Sequence, residues 1–180
     1  ILPLSLMFGV LFGYLGASPF IFMRHFNLSL EQYAYVSFLT TITGAIGSII
    51  NARFVMSHSP QWVSLRGVIC STVASVLILL LILMNIEVLI IYMVLFALMT
   101  LGIGMSLASC KAGAMMVFDR NLGMASSLMK FIQTLGSITI TALAAILYSD
   151  NAIKPMVLLL AVTSAVALLL ILTIRRRRAA

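Results

Sequence analysis

Lys130 is the residue whose chemistry most needs an explanation, because it stands inside an apolar stretch, where a charge costs several kcal/mol unless it meets water, a partner or the membrane interface. Gln133 or Thr134, Ser137 and Thr141 follow at spacings of three and four, so Lys130, Gln133, Ser137 and Thr141 can share one stripe of a helix. A polar stripe in lipid has to turn inward. Two roles are open to the lysine: drawing an anionic or polar substrate into a water-filled cavity, or reaching from near the helix start to the headgroups. A second group lies earlier. Ser5, Gly9, Gly13 and Gly16 make a small-residue face followed by Ala17-Ser18-Pro19, which suits close packing or, through the carbonyl that proline frees, a hinge. If that face is a cavity wall, Tyr14 and Ser18 at i and i+4 offer hydroxyls to substrate. A third group, Gly44, Gly47 and Ser48, leads into Asn51-Ala52-Arg53.

Enzyme chemistry finds little footing. A serine nucleophile needs a histidine within hydrogen-bond reach, and His25 and His58 fall in separate connections on opposite sides of the membrane. No His, Cys, Asp or Glu cluster has metal-ligand spacing, and Gly102-Ile103-Gly104 sits inside an apolar run, unlike a phosphate loop. Neither an enzyme nor a cofactor is expected. Cys70 and Cys110 read as buried free thiols. Tyr92, Phe96, Met99 and Ile103 repeat at heptad-like spacing, which points to helix packing.

The elements that must position these residues follow from composition. Of 180 residues 63% are hydrophobic and only 8% charged, against about 25% charged in soluble domains. Such a chain is solvated by lipid, where the backbone must satisfy itself in helices or a closed barrel. Long unbroken apolar runs select helices. Six segments reach the roughly 20 residues needed to span a bilayer: 1–23, 33–56, 67–85, 88–111, 122–149 and 156–174. The expected fold is an all-α membrane bundle of six antiparallel neighbours in a single domain. Its cavity would be lined by the first, second, fourth and fifth helices. The third and sixth, aliphatic over 76–83 and 168–172, would face lipid.

Orientation comes from basic residues, which are retained on the cytoplasmic side. Arg53, Arg66, Lys111, Arg120 and Arg175 to Arg178 fall on one side, against Arg24 and Lys154 on the other. Both termini are therefore expected in the cytoplasm, in the inner (plasma) membrane. The net charge of +7 belongs to this anchoring and not to nucleic acid, since no aromatic and basic surface pattern accompanies it. The chain opens at Ile1, directly in an apolar segment, and reads as a fragment.

In order along the chain, Tyr14-Leu15-Gly16-Ala17-Ser18-Pro19-Phe20 with His25-Phe26-Asn27-Leu28-Ser29, then Gly47 through Asn51-Ala52-Arg53, then Gly123-Met124-Ala125-Ser126-Ser127-Leu128 with Gln133, resemble the C-terminal half of bicyclomycin-resistance type drug:proton antiporters of the major facilitator superfamily. Gly47-Ser48-Ile49-Ile50-Asn51-Ala52-Arg53 is similar to that superfamily's inner-loop gating motif, with Asn51 where the full motif has an acid. Lys130 also departs from the apolar or small residue expected at its position; a fixed positive charge repels organic cations and favours zwitterions or anions.

The resemblance implies a twelve-helix parent whose N-terminal six-helix half is missing here, alternating access by rocking of the halves, and a small-molecule site between them near the midplane. It further implies proton-coupled efflux of the drug-resistance type, with the proton-carrying acid in the missing half. Export of a physiological metabolite, such as a siderophore or an amino-acid derivative, fits the same residues. So does a stand-alone six-helix scaffold or oligomeric pore.

Overall fold

A computed structural model describes residues 2–115, 122–147 and 154–179. Its six helices are α1 (Leu2–Pro19, continued by a π-helical turn over Phe20–His25), α2 (Leu30–Val55), α3 (Pro60–Leu83), α4 (Leu89–Met115), α5 (Leu122–Leu147) and α6 (Lys154–Ala179). All six are long and apolar enough to cross a membrane, as the chain of a multi-pass membrane protein requires.

Three helix starts lie earlier than the hydropathy pattern suggests, and local chemistry explains each. α2 begins at Leu30 because Ser29 and Gln32 form a capping box: the Gln32 amide donates to Ser29 Oγ (3.3 Å) and the Ser29 amide to Gln32 Oε1 (3.0 Å), satisfying two orphan donors of the first turn. α3 begins at Pro60 rather than at 67. Pro60 occupies the first turn, where its missing N–H costs nothing, so Trp62 and Arg66, taken as loop, are helical. α6 begins at Lys154 with Pro155 in its first turn, by the same logic. It also runs on past 174 to Ala179. Asp119, Arg120, Asn121, Asp150 and the side chains of Arg175 to Arg178 lie outside the described residues.

The turns from α1 to α2 and from α3 to α4 use asparagine to turn left-handed. Asn27, between α1 and α2, and Asn85, between α3 and α4, have φ of 52° and 54°, a region asparagine tolerates better than other side chains. Across that end His25 Nε2 meets Glu87 Oε1 at 3.4 Å, and the Phe26 ring packs edge-on to Tyr92 with centroids 5.0 Å apart.

α4 is the hub, packed on α3 and α2, while α1 packs on α5 and α6, and α3 on α6. The α3–α4 crossing rests on two facing glycines. A Cβ on Gly102 would stand 2.6 Å from the carbonyl oxygen of Gly67, and one on Gly67 would stand 2.7 Å from that of Gly102. Only glycine lets these backbones touch. Tyr92, Phe96, Met99 and Ile103 are all buried, as their spacing suggested. Tyr14 stacks on Phe96 at 4.8 Å and Phe22 meets it edge-on at 5.5 Å. Val76, Leu77, Leu80 and Leu83 of α3 and Leu169 and Leu172 of α6 are exposed. α3 faces outward along one stripe only, its other side being packed on α4 and α6.

Candidate functional site

Two hollows flank a ridge of α1 formed by the exposed Phe12 and Leu15 and the half-buried Phe8 and Leu11. One, about 300 Å³, lies between α1, α2 and α4, with Tyr14, Thr40, Thr41, Ser48 and Thr100 in its wall. The other, about 550 Å³, lies between α1 and α5, with Phe8, Phe12, Lys130, Thr134, Ser137 and Thr141. Because both border the same ridge, they open on the same side of the bundle. A smaller hollow of about 110 Å³ between α1, α5 and α6 shares Thr141. The polar stripe of α5 thus borders one hollow, and the hydroxyls of α2 and α4 border the other, on either side of α1.

Lys130 stands about 12 Å along α5 from its start at Leu122. Its ammonium lies over the Phe8 ring, 4.8 Å from the centroid, within the range of a cation–π contact. Ser5 Oγ donates to Ile132 O at 3.1 Å, so α1 and α5 run side by side with Ser5 level with Ile132. Phe8 then belongs about one turn further along the bundle than Ile132. The lysine is turned toward α1 and the hollow, not back along its own helix.

The hydroxyls beside it are unequal. Thr134 Oγ1 donates to Lys130 O (2.9 Å) and Ser137 Oγ to Thr134 O (2.7 Å), so each has given its single proton to its own helix and keeps only lone pairs for the hollow. Thr141 Oγ1 is buried with no hydrogen-bond partner among the described residues, and its donor and acceptor capacity are both unused. The wall therefore offers a cation and two acceptors, while the unpartnered Thr141 hydroxyl, about 16 Å further along α5 from Lys130, is turned into the protein.

Gln133 does not join this stripe. It is buried with Met129 and Ile140, a step of the helix away from Lys130, and Thr134 takes the place expected for it. Sequence spacing admitted both residues; only the angular position of α1 separates them. Ser137 borders the hollow.

Ser18 is committed within the protein. Pro19 has no N–H for the carbonyl of Leu15, and Ser18 Oγ donates to that oxygen instead, at 3.1 Å. With its proton spent, Ser18 accepts from Tyr33 O–H at 2.8 Å. It is buried and borders neither large hollow. Tyr14 does border one; its hydroxyl is engaged by Thr40, whose Oγ1 also lies 3.0 Å from Ser37 O.

The Gly47, Asn51 and Arg53 group splits. Gly47 is pressed against the backbone of Leu101 in α4. Asn51 is buried and its Oδ1 accepts from Ser109 Oγ, so two of the three residues hold α2 to α4. Arg53 is exposed in the last turn of α2, where a cation complements the helix dipole. Phe8 and Phe12, the aromatic floor beneath Lys130, were not singled out from the sequence. Their i, i+4 spacing was the available signal, and it is shared by lipid-facing phenylalanines. Among the described residues no group of His, Cys, Asp and Glu could hold a metal ion. No family model, curated protein or solved structure matches the chain.

Proposed function

We propose that this chain is the C-terminal six-helix half of a secondary transporter of the drug:proton antiporter type in the major facilitator superfamily, moving a small molecule by alternating access. The observation that supports it is the pair of hollows on either side of α1, one walled by α2 and α4 with hydroxyls and the other by α5 with hydroxyls and one lysine, on a bundle whose α3 and α6 present aliphatic stripes outward. In lipid, polar groups are placed where they meet water, substrate or another polar surface. A second six-helix half would close these hollows into a cavity, and the acids among the described residues, Glu31 and Glu87, lie in the first turn of α2 and in the α3–α4 turn, so we assign the coupling proton to that other half.

The selectivity of such a cavity follows from its charge. A lysine over an aromatic ring, with unspent lone pairs beside it, suits an anionic or zwitterionic molecule with an apolar body, and it disfavours a plain organic cation. The test is transport by the full-length protein in proteoliposomes under an imposed pH gradient, against matched anionic, zwitterionic, neutral and cationic compounds. Movement of a subset that reverses with the gradient and stops with a protonophore is expected. Flux of small ions without gradient-driven accumulation of any compound would identify a pore and overturn the proposal.

A further inference from the structure

The end of the bundle where α2 gives way to α3 carries a side-chain cluster that the hollows do not use. The imidazole of His58 stacks on the ring of Trp62, centroids 4.1 Å apart and planes 17° from parallel. The guanidinium carbon of Arg66 lies 3.4 Å from the centroid of Trp62. Two flat groups so close cannot share one face of the indole, so Trp62 is sandwiched between imidazole and guanidinium. Stacking occupies the face of the guanidinium and leaves its N–H fork free in the plane. Among the described residues no acid stands within ion-pair distance of Arg66.

Arg66 also heads the outward stripe of α3. Ile69, Val73, Leu77 and Leu80 follow it at three- and four-residue steps and are exposed. About 20 residues cross the hydrocarbon core, and counting back that far from Leu83, the last residue of α3, reaches Ser64. Arg66 therefore sits at the hydrocarbon boundary, with headgroups on one side and acyl chains along the stripe on the other. Arg53 and Lys111, both exposed, belong to the same end, where Gly113 of α4 approaches Pro60 of α3. Glu31 and Glu87 belong to the opposite end, at the start of α2 and in the α3–α4 turn.

We infer that Arg66, held in place by Trp62 and His58, binds the phosphate of an anionic membrane phospholipid whose acyl chain lies along Ile69, Val73, Leu77 and Leu80. A guanidinium fork matches a phosphate's geometry, and basic residues at a membrane boundary attract anionic lipid. Zwitterionic lipids fit less well on two counts. Both faces of Trp62 are occupied, which leaves the tilted Phe54 ring, 6.4 Å from Trp62 and not part of the stack, as the aromatic surface beside it for a choline ammonium, and among the described residues this end has no carboxylate for an ethanolamine. The inference stands on the membrane-spanning fold and is independent of what the protein transports.

Trp62 is the single tryptophan of the chain and reports on its own site. The full-length protein, with any tryptophan outside this chain replaced by phenylalanine, is placed in phosphatidylcholine nanodiscs. These contain a minor fraction of either phosphatidylglycerol or phosphatidylcholine brominated on the upper acyl chain. Brominated phosphatidylglycerol is expected to occupy the quenching position about fivefold in excess of brominated phosphatidylcholine, and excess inorganic phosphate is expected to leave that ratio unchanged. Arg66→Gln is expected to bring the ratio to one, while Arg53→Gln keeps most of it. Equal quenching by the two lipids in the unsubstituted protein would overturn the inference whatever the variants do. So would a preference that survives Arg66→Gln, one lost equally in Arg53→Gln, or one abolished by free phosphate.

Discussion

Replacing Gly102 by alanine tests the packing that sets the whole bundle. The new Cβ would meet Gly67 O and the amide nitrogen of Ser71, each at 2.6 Å, whereas ordinary contact begins at 3.4 Å. Both obstacles are backbone, so no side chain can swing away and the α3–α4 crossing must open by about 0.8 Å. Overpacking of this kind costs about 1–3 kcal/mol, and backbone obstacles put it at the upper end. Alanine's better helix propensity returns about 1 kcal/mol. A net loss of about 2 kcal/mol is expected. Gly67→Ala meets Gly102 O and Ser106 N at 2.7 and 2.8 Å and needs the same separation of the same two helices. The double variant should therefore cost less than the two singles combined, with a coupling of about 1 kcal/mol or more. Gly123, with nothing within 4 Å of an added Cβ, is the control and should be neutral or slightly stabilised. Reversible unfolding in mixed micelles over a rising mole fraction of SDS gives all four values. A Gly102→Ala protein as stable as the parent, or strict additivity with Gly67→Ala, would refute the close crossing.

Lys130→Gln should lower transport of an anionic compound about tenfold relative to its amine counterpart, as expected for one charge acting through a partly hydrated hollow; the ratio of kcat/KM for 4-phenylbutyrate and 4-phenylbutylamine in proteoliposomes measures it, and an unchanged ratio would assign the lysine to anchoring. Ser109→Ala removes the hydroxyl that donates to Asn51 Oδ1 between α4 and α2 and should cost about 0.6–1.7 kcal/mol in the same SDS titration, the span of buried polar contacts between membrane helices. Ser29→Ala breaks the capping box of α2 and should cost about 1 kcal/mol, seen first as faster amide exchange in the turn at Leu30 to Tyr33.

The number and order of the helices were legible in the sequence because hydrocarbon thickness sets a length that six apolar runs meet. The start of α3 was not, because Trp62 and Arg66 fall among the polar letters of a connection, while Pro60 at the first turn makes both helical and His58, still in the connection, stacks onto Trp62. The lysine stripe was legible in outline. The choice between Gln133 and Thr134 was not, since neighbouring residues differ by about 100° around the axis and only the position of α1 decides which is buried. Ser18 was misjudged for a similar reason: a serine beside a proline can serve the ligand or the orphaned carbonyl, and the Leu15 oxygen at 3.1 Å claims it. Tyr33, its second partner, lies on the next helix, beyond the reach of any local pattern.

Impermeant thiol labelling, after Cys70 and Cys110 are replaced by alanine, tests most directly whether a wetted face runs through a membrane-embedded bundle. Cysteines at Thr134 and Ala145, which border the α5 hollow, should react with a water-soluble maleimide in intact proteoliposomes. Cysteines at Val73 and Leu169, exposed on the outer stripes of α3 and α6, should stay unreacted until detergent is added. Equal reactivity at all four positions, or protection of Thr134 and Ala145 with labelling of Val73 and Leu169, would contradict it.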